Sequence, residues 1–406
     1  MATMEKRLTC VSQEFNQTYQ FPVYFIHNLF DSKNEVLKEV LGDRPFKENK
    51  KIICFIDDNL AKKNPLLTSQ VKKKFANGKL GVDLIGEPFV FPGGERVKNT
   101  WDYVHKVTGL LNQFSFDRHD FVLVLGGGAL LDMVGFAASI YHRGIKLIRV
   151  PTTTLAQNDA GIGVKNGINC FEQKNSIGTF TPPFAVINDF SFLKTLPFSH
   201  YISGVAEAFK IAMIKDASLF SFLVDHSDIL SQRDQETMVS IIYHCACLHL
   251  DHIAHGGDPY ESGSSRPLDY GHWSAHKIEM MSQNAISHGY AVSIGIALDS
   301  YYAWKMSLIT ESDLYQLLTS LIKCRLPIWS NYLSRTNEQD QLEIKNGLEE
   351  FRIHLGGRLT FTMPDGIGKT CQLHEMDFEI VRNGIQYLED FSEEMSAYPI
   401  DDSTAL

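Results

Sequence analysis

The sequence predicts an α/β protein in two parts, an N-terminal domain over 1–190 built on a Rossmann-like parallel sheet and a mainly α-helical domain over 191–406. Three observations predict it. Apolar runs of strand length recur in the first half, helix-length segments separate several of them, and beyond about Leu193 the pattern changes to long stretches of helical period. The strand candidates in order are 52–56, 121–125, 147–150 and 184–187, each close to a turn or a polar cluster. The clearest helices are 205–214, 236–250, 272–281 and 291–306. A boundary near residue 190 follows, and the cleft between the two parts is where two small molecules can meet. The acidic, Ser-rich tail after Asp390 reads as a frayed terminus.

At 406 residues the chain can bury a large core. Its 38 basic against 48 acidic side chains give a formal net charge of -10 with no long basic run, which argues against nucleic acid as a partner. A local positive pocket for a small anion such as phosphate remains compatible with that charge. The seven cysteines are odd in number, form no CxxC and sit mostly among apolar neighbours, so reduced thiols in a cytoplasmic protein are expected. The start lacks an apolar signal core, and the most apolar stretch, 121–150, is interrupted by Asp132, His142 and Arg143, so no membrane span is expected.

Chemistry concentrates in four places. His272 and His276 are four residues apart and share a helix face, His288 follows after a stretch long enough to reverse direction, and Glu207 offers a carboxylate. Three such ligands with one free position make an open metal site, although with 15 histidines a close pair also arises by chance. The strand 121–125 runs into Gly126-Gly127-Gly128 and Asp132, where glycines let the backbone approach a pyrophosphate at a helix N-terminus. A plain glycine turn reads the same way. Asp57 and Asn59 after the first strand, and Gly93-Gly94-Glu95 with Lys98, add groups that suit a dinucleotide. Arg143, Lys165 and Lys174 can bind phosphate by charge-assisted hydrogen bonds while Asp159 holds a sugar hydroxyl, and a polar loop with solvated charges is the bland alternative.

Taken together, these motifs resemble the sugar phosphate cyclases, the superfamily that contains 3-dehydroquinate synthase. The resemblance runs over nearly all of 50–370, with the Gly-Gly-Glu turn, the triple glycine, the 143–175 block, Glu207 with Lys210, and His272, His276 and His288 in family order. It implies that Glu207, His272 and His288 hold one divalent metal, zinc or otherwise cobalt. It also implies that Asp57, Asn59, Glu95, Lys98, Gly127, Gly128, Asp132, Thr152, Thr153, Lys174 and Thr179 surround NAD. Lys210, His276, Asp159 and Lys165 then carry catalysis. Arg143, Lys174, Asn175, Asp269, Arg266 and His354 contact the substrate and its phosphate, with Arg143 reaching the neighbouring active site of a homodimer.

Departures from 3-dehydroquinate synthase bear on the substrate. The stretch 252–273 has no lysine for a substrate carboxylate, Asp269 replaces an asparagine, Trp273 replaces a threonine, and Arg352 with His354 replaces a late lysine pair. An uncharged polyol head group suits these changes. The stretches 256–261, 266–276 and 155–169 resemble the 2-epi-5-epi-valiolone synthase branch, which cyclises sedoheptulose 7-phosphate by transient NAD-dependent oxidation, phosphate elimination, re-reduction, ring opening and aldol closure. Rival readings are the other sedoheptulose 7-phosphate cyclases, which make 2-epi-valiolone or desmethyl-4-deoxygadusol, then 3-dehydroquinate synthase, then a metal-dependent polyol dehydrogenase. Many relatives have glutamate where this chain has Tyr290, which leaves open what supports His288.

Overall fold

The computed structural model describes residues 10–42, 50–76, 78–171, 173–256, 260, 267–354 and 359–397. Seven strands form the main sheet: β1 (Val23–Ile26), β2 (Lys50–Asp57), β3 (Val82–Leu84), β4 (Phe89–Phe91), β5 (Phe121–Gly126), β6 (Lys146–Pro151) and, after an antiparallel hairpin of β7 (Lys165–Cys170) and β8 (Gln173–Phe180), β9 (Ala185–Asp189). Their order is β1-β9-β6-β5-β2-β3, with β4 also paired to β2, and every pairing is parallel. The four strands expected from apolar runs are the inner ones. They are apolar at successive positions because both faces are covered. Ile52, Cys54, Ile56, Leu123 and Leu125 pack on one side, while Ile53, Phe55, Val122 and Val124 pack on the other.

Helices α1 (Val36–Leu41), α2 (Asp58–Lys63) and α3 (Leu67–Phe75) contribute Leu37, Leu60 and Val71 to the first layer. The opposite layer receives α4 (Trp101–Gln113) and α5 (Gly128–Ile140). Past Asp189 the chain is mainly helical: α6 (Phe198–Lys215), α7 (Ala217–Ser231), α8 (Gln235–His255), α9 (His272–Met281), α10 (His288–Lys305), α11 (Glu311–Lys323), α12 (Asn331–Ser334) and α13 (Asn346–His354). A small antiparallel pair, β10 (Phe361–Pro364) and β11 (Thr370–Leu373), precedes α14 (Phe378–Ala397). The tail expected to fray after Asp390 instead continues α14 to Ala397, because the apolar stripe carrying Tyr387 and Phe391 packs on the helical core. All seven cysteines are unpaired, and among the described residues no helix is long and apolar enough to cross a membrane.

Two contacts place the site. The run 201–214 of α6 is buried throughout, so the helix is a core element on every side, and Glu207 and Lys210 are its only charged residues within that run. Helices α9 and α10 meet through glycines: a Cβ on Gly295 would lie 1.9 Å from the carbonyl oxygen of Gly271, whose own φ of +77° is left-handed. That approach brings the start of α9, with His272, over the first turns of α10, where His288 begins the helix.

Candidate active site

Glu207 is fully buried, and both of its carboxylate oxygens lack a well-aligned hydrogen bond. Buried charge of this kind is tolerated only with counter-charge, which Lys210 supplies one turn on, its Nζ 2.5 Å from Oε2. His272 Nε2 lies 3.6 Å and His288 Nε2 3.4 Å from Glu207 Oε1. Burial alone would favour the protonated carboxyl. Lys210 and the two imidazoles outweigh it and hold Glu207 well below the usual carboxylate range. Lys210 is likewise pressed by burial to lose its proton, but Glu207 and Asp159 keep it charged and raise its pKa.

The rings are turned by their other nitrogens. His272 Nδ1 is 3.0 Å from the carbonyl oxygen of Tyr270, and His288 Nδ1 is 3.2 Å from Glu279 Oε2. With a cation bound and protons on Nδ1, both Nε2 atoms would offer their lone pairs to it beside Glu207. One nitrogen from each ring and one Glu207 oxygen then lie within 4.8 Å of one another, a donor set that suits zinc or cobalt, and the orphaned carboxylate is the group that a divalent cation would satisfy. His276, one turn beyond His272, stays off this set. Burial first, then the charge of His272, keeps its pKa well below the usual value, so it is neutral.

Asp159 reaches the same site on a π-helical turn, Ala156–Ala160, which follows β6. The turn is pinned to α6 by Asn158 Nδ2 to the Gly204 carbonyl at 2.8 Å and by Thr154 Oγ1 to the His200 carbonyl at 2.9 Å. A side chain at Gly204 would meet Thr154 at 2.7 Å, so glycine is what admits the turn. Asp159 Oδ1 lies 2.9 Å from His249 Nδ1 of α8, and Lys210 and His249 together overcome burial to lower its pKa. Asp269 is half-buried, and its buried Oδ2 has no hydrogen-bond partner. Its charge reinforces that of Lys210.

On the sheet side, β5 ends at Gly126 and α5 opens at Gly127-Gly128 with no side chain capping it. A Cβ at Gly127 would approach Thr153 Cγ2 to 3.3 Å, and one at Gly128 would approach Ala160 Cβ to 3.2 Å, so glycine leaves the helix N-terminus bare and suited to a pyrophosphate. Beside it Lys98, almost wholly buried, donates to Asp132 Oδ2 at 2.7 Å and to Asn175, with Glu95 Oε1 4.0 Å away. Asn169 bonds Glu95 at 2.8 Å and the Asn175 backbone at 2.9 Å. Lys174 turns from this network to Glu279, 2.5 Å from Oε1.

The structure thus brings together Glu207, His272, His288, His276, Lys210 and Asp159 in one place and Glu95, Lys98, Asp132 and Asn175 in another. Other expected residues sit differently. Asp57 caps α2, accepting from the backbone of Asn59 and Leu60 at 2.8 and 3.3 Å, and fills the space over Gly93. Lys174, expected at phosphate or cofactor, is paired with Glu279. Thr179 shares a hydrogen bond with Ser139 at 2.7 Å, while Thr153 accepts from the Ala156 backbone at 3.2 Å, and Thr152 is buried. Arg143 and Lys165 are exposed, the latter on β7, a strand where a polar loop was the bland alternative. Arg266 lies outside the described residues, as does the side chain of His354. Sequence reasoning missed His249, Glu279 and Asp299. Asp299 accepts from Trp273 Nε1 at 2.8 Å and from the Gly271 backbone at 2.9 Å, which fixes the residues on either side of His272.

Two family models match the chain, "3-dehydroquinate synthase N-terminal" over 88–203 and "3-dehydroquinate synthase C-terminal" over 204–345. The 3-dehydroquinate synthase of Campylobacter fetus subsp. fetus is 34% identical over 345 residues, 81% of this chain and 94% of that protein. A 2-epi-5-epi-valiolone synthase of Streptomyces albus is 35% identical over 257 residues, 62% of this chain and 61% of that one. Among solved structures, the 2-epi-5-epi-valiolone synthase of Streptomyces hygroscopicus subsp. jinggangensis 5008, with NAD+ and Zn2+ bound, is similar over 94% of this chain and 100% of its own, with a TM-score of 0.82 and 26% identity.

Proposed function

Since the chain belongs to the 3-dehydroquinate synthase family of sugar phosphate cyclases, we propose that it cyclises sedoheptulose 7-phosphate to 2-epi-5-epi-valiolone with release of phosphate, as a carbon-oxygen lyase. The observation that carries the substrate choice is Asp269. Its buried, unpartnered Oδ2 is an acceptor without a donor, which a sugar hydroxyl satisfies and a substrate carboxylate would repel. The valiolone synthase likeness at a TM-score of 0.82 supports the same choice. A second reading, 3-dehydroquinate synthase, is favoured by the 34% identity to the Campylobacter protein over 81% of this chain.

NAD and one divalent metal, zinc before cobalt, belong to the proposal, since the bare start of α5 suits a pyrophosphate and the Glu207, His272 and His288 donors suit such a cation. When bound, NAD takes up and later returns a hydride, and the metal acidifies the substrate hydroxyl it polarises. The protein's own groups do the rest. Lys210, charged and buried, stabilises negative charge that develops on a substrate oxygen. Neutral His276 accepts and returns a proton beside it. Asp159, held by His249, orients a substrate hydroxyl. Lys165, Asn175, Arg266 and His354 are assigned to substrate and phosphate, and Arg143 to the neighbouring site of a homodimer. The sheet domain ends near residue 190 and the metal-binding domain follows.

The test is phosphate release by NAD- and zinc-loaded protein from two substrates. Release from sedoheptulose 7-phosphate alone is expected. Release from 3-deoxy-arabino-heptulosonate 7-phosphate alone would transfer the assignment to 3-dehydroquinate synthase.

A further inference from the structure

His288 is a ligand candidate followed by Gly289 and Tyr290, so the chain lacks the glutamate that many relatives place two residues after this histidine. Tyr290 packs its ring on the helical core. The carboxylate beside His288 comes from elsewhere: Glu279, on the last turns of α9, lies with Oε2 3.2 Å from His288 Nδ1. Glu279 is 2% exposed, and its other oxygen is taken by Lys174 at 2.5 Å. A buried carboxylate gripped on both sides by cationic or donating groups has a defined rotamer, and it defines theirs.

We propose that Glu279 is a positioning residue for the metal centre. It accepts the Nδ1 proton of His288, so that Nε2 is turned to the cation site beside Glu207, and through Lys174 it fastens the β7–β8 hairpin to the metal helix. This rests on the reading of Glu207, His272 and His288 as the metal ligands. A second set of donors that includes Glu279, with His276 and His288, also lies within 4.8 Å. The hydrogen bonding decides between the two sets. Glu279 has both oxygens hydrogen-bonded, to Lys174 and His288, whereas Glu207 Oε1 has only the two Nε2 atoms 3.6 and 3.4 Å away, and His288 has a single nitrogen for each carboxylate. A histidine whose second nitrogen donates to a carboxylate is also a more basic ligand.

The chain of contacts extends further. Lys174 neighbours Asn175, which receives the Lys98 ammonium, and Lys98 pairs with Asp132 beside the glycine turn. Glu279 therefore stands where the polar network of the sheet domain meets the metal ligands, and its loss should be felt on the metal first.

The experiment titrates Co2+ into chelator-stripped full-length protein, reading affinity by chelator competition and ligand geometry by the visible cobalt spectrum, for wild type, Glu279→Ala, Glu279→Gln, Lys174→Met and His272→Ala. Glu279→Ala should bind Co2+ about 10–100-fold more weakly with an altered spectrum. Glu279→Gln keeps an acceptor for Nδ1 and should recover part of that loss. Lys174→Met leaves the Glu279 to His288 contact in place and should change affinity less than Glu279→Ala. Binding by both Glu279 variants within two-fold of wild type, with an unchanged spectrum, would overturn the proposal. Because no sugar phosphate is used, the result is independent of the substrate assignment, and undiminished binding by His272→Ala would instead overturn the metal reading itself.

Discussion

Lys210→Met removes one charge from the most buried ion pair among the described residues while keeping the volume and the stem. The ammonium lies 2.5 Å from Glu207 Oε2, with both side chains at most 3% exposed. With charge centres about 4 Å apart and an effective dielectric near 20, the attraction is about 4 kcal/mol. Removing one partner of a buried pair costs about 3–5 kcal/mol, because the other charge stays buried without compensation. Asp159 also loses its largest stabilising charge. At about 2.1 cal/mol/K per residue the unfolding entropy of the whole chain is roughly 0.85 kcal/mol/K, so the metal-free variant should melt about 5 °C below wild type. A divalent cation on Glu207 replaces the lost positive charge, so saturating zinc should at least halve that gap. Turnover should fall by about 100-fold or more, since the buried ammonium that stabilises a developing oxyanion is lost. Differential scanning fluorimetry in chelator and in zinc, beside a phosphate-release assay, reads all three. An equal melting loss with and without zinc, or turnover near wild type, would refute the reasoning.

Three further substitutions test other links. Gly295→Ala would place a methyl group 1.9 Å from the Gly271 carbonyl oxygen and push α9 off α10, so a loss of at least 1–3 kcal/mol in urea unfolding is expected together with weaker zinc binding; stability within 0.5 kcal/mol would contradict the close contact. Burial pushes the Asp299 carboxyl up to about 7 against the hydrogen bonds from Trp273 and Gly271. The folded chain therefore keeps a proton that the unfolded chain, with a pKa of about 3.9, has already lost, and this group subtracts stability as pH rises from about 4 to 7. The wild-type stability minus that of Asp299→Asn should decline across that window in urea titrations, and a pH-independent difference would exclude it. Buried Arg149 donates to the carbonyls of Gly161, Gly163 and Lys165 at 3.2, 2.8 and 3.0 Å and to Asn166. Arg149→Met should cost about 3–5 kcal/mol and loosen the segment after Asp159, visible as faster amide exchange over 159–166, whereas unchanged exchange there would count against that role.

The parts of the fold that were legible in the sequence are those whose burial is uniform. Strands β2, β5, β6 and β9 lie inside the sheet and are apolar on both faces, so their runs stand out, and the helices carrying Glu207, His272 and His288 stand out by length and apolar content. The edge strands β1 and β3 and short β4 hold three or four residues each, too few to show a pattern. Strands β7 and β8 carry no clear apolar run because their residues serve polar neighbours: Asn166 bonds Arg149, and Asn169 bonds Glu95. In the site, residues grouped by sequence spacing were legible, as with Glu207 and Lys210 on one helix. Partners that meet only through tertiary packing were not, as with His249 on α8 reaching Asp159, or Glu279 on α9 reaching Lys174 on β8. Asp57 illustrates the converse, since a carboxylate after a strand suits a ribose contact and a helix cap equally well in sequence, and the cap is what the backbone of Asn59 and Leu60 uses.

The most direct measurement incubates the NAD- and zinc-loaded protein with 13C-labelled sedoheptulose 7-phosphate, following phosphate, absorbance at the NADH band and the carbon skeleton by NMR. Stoichiometric phosphate, no net NADH and a carbocyclic product with the configuration of 2-epi-5-epi-valiolone are predicted. Accumulating NADH with an open-chain ketose phosphate would contradict cyclisation and identify a dehydrogenase instead.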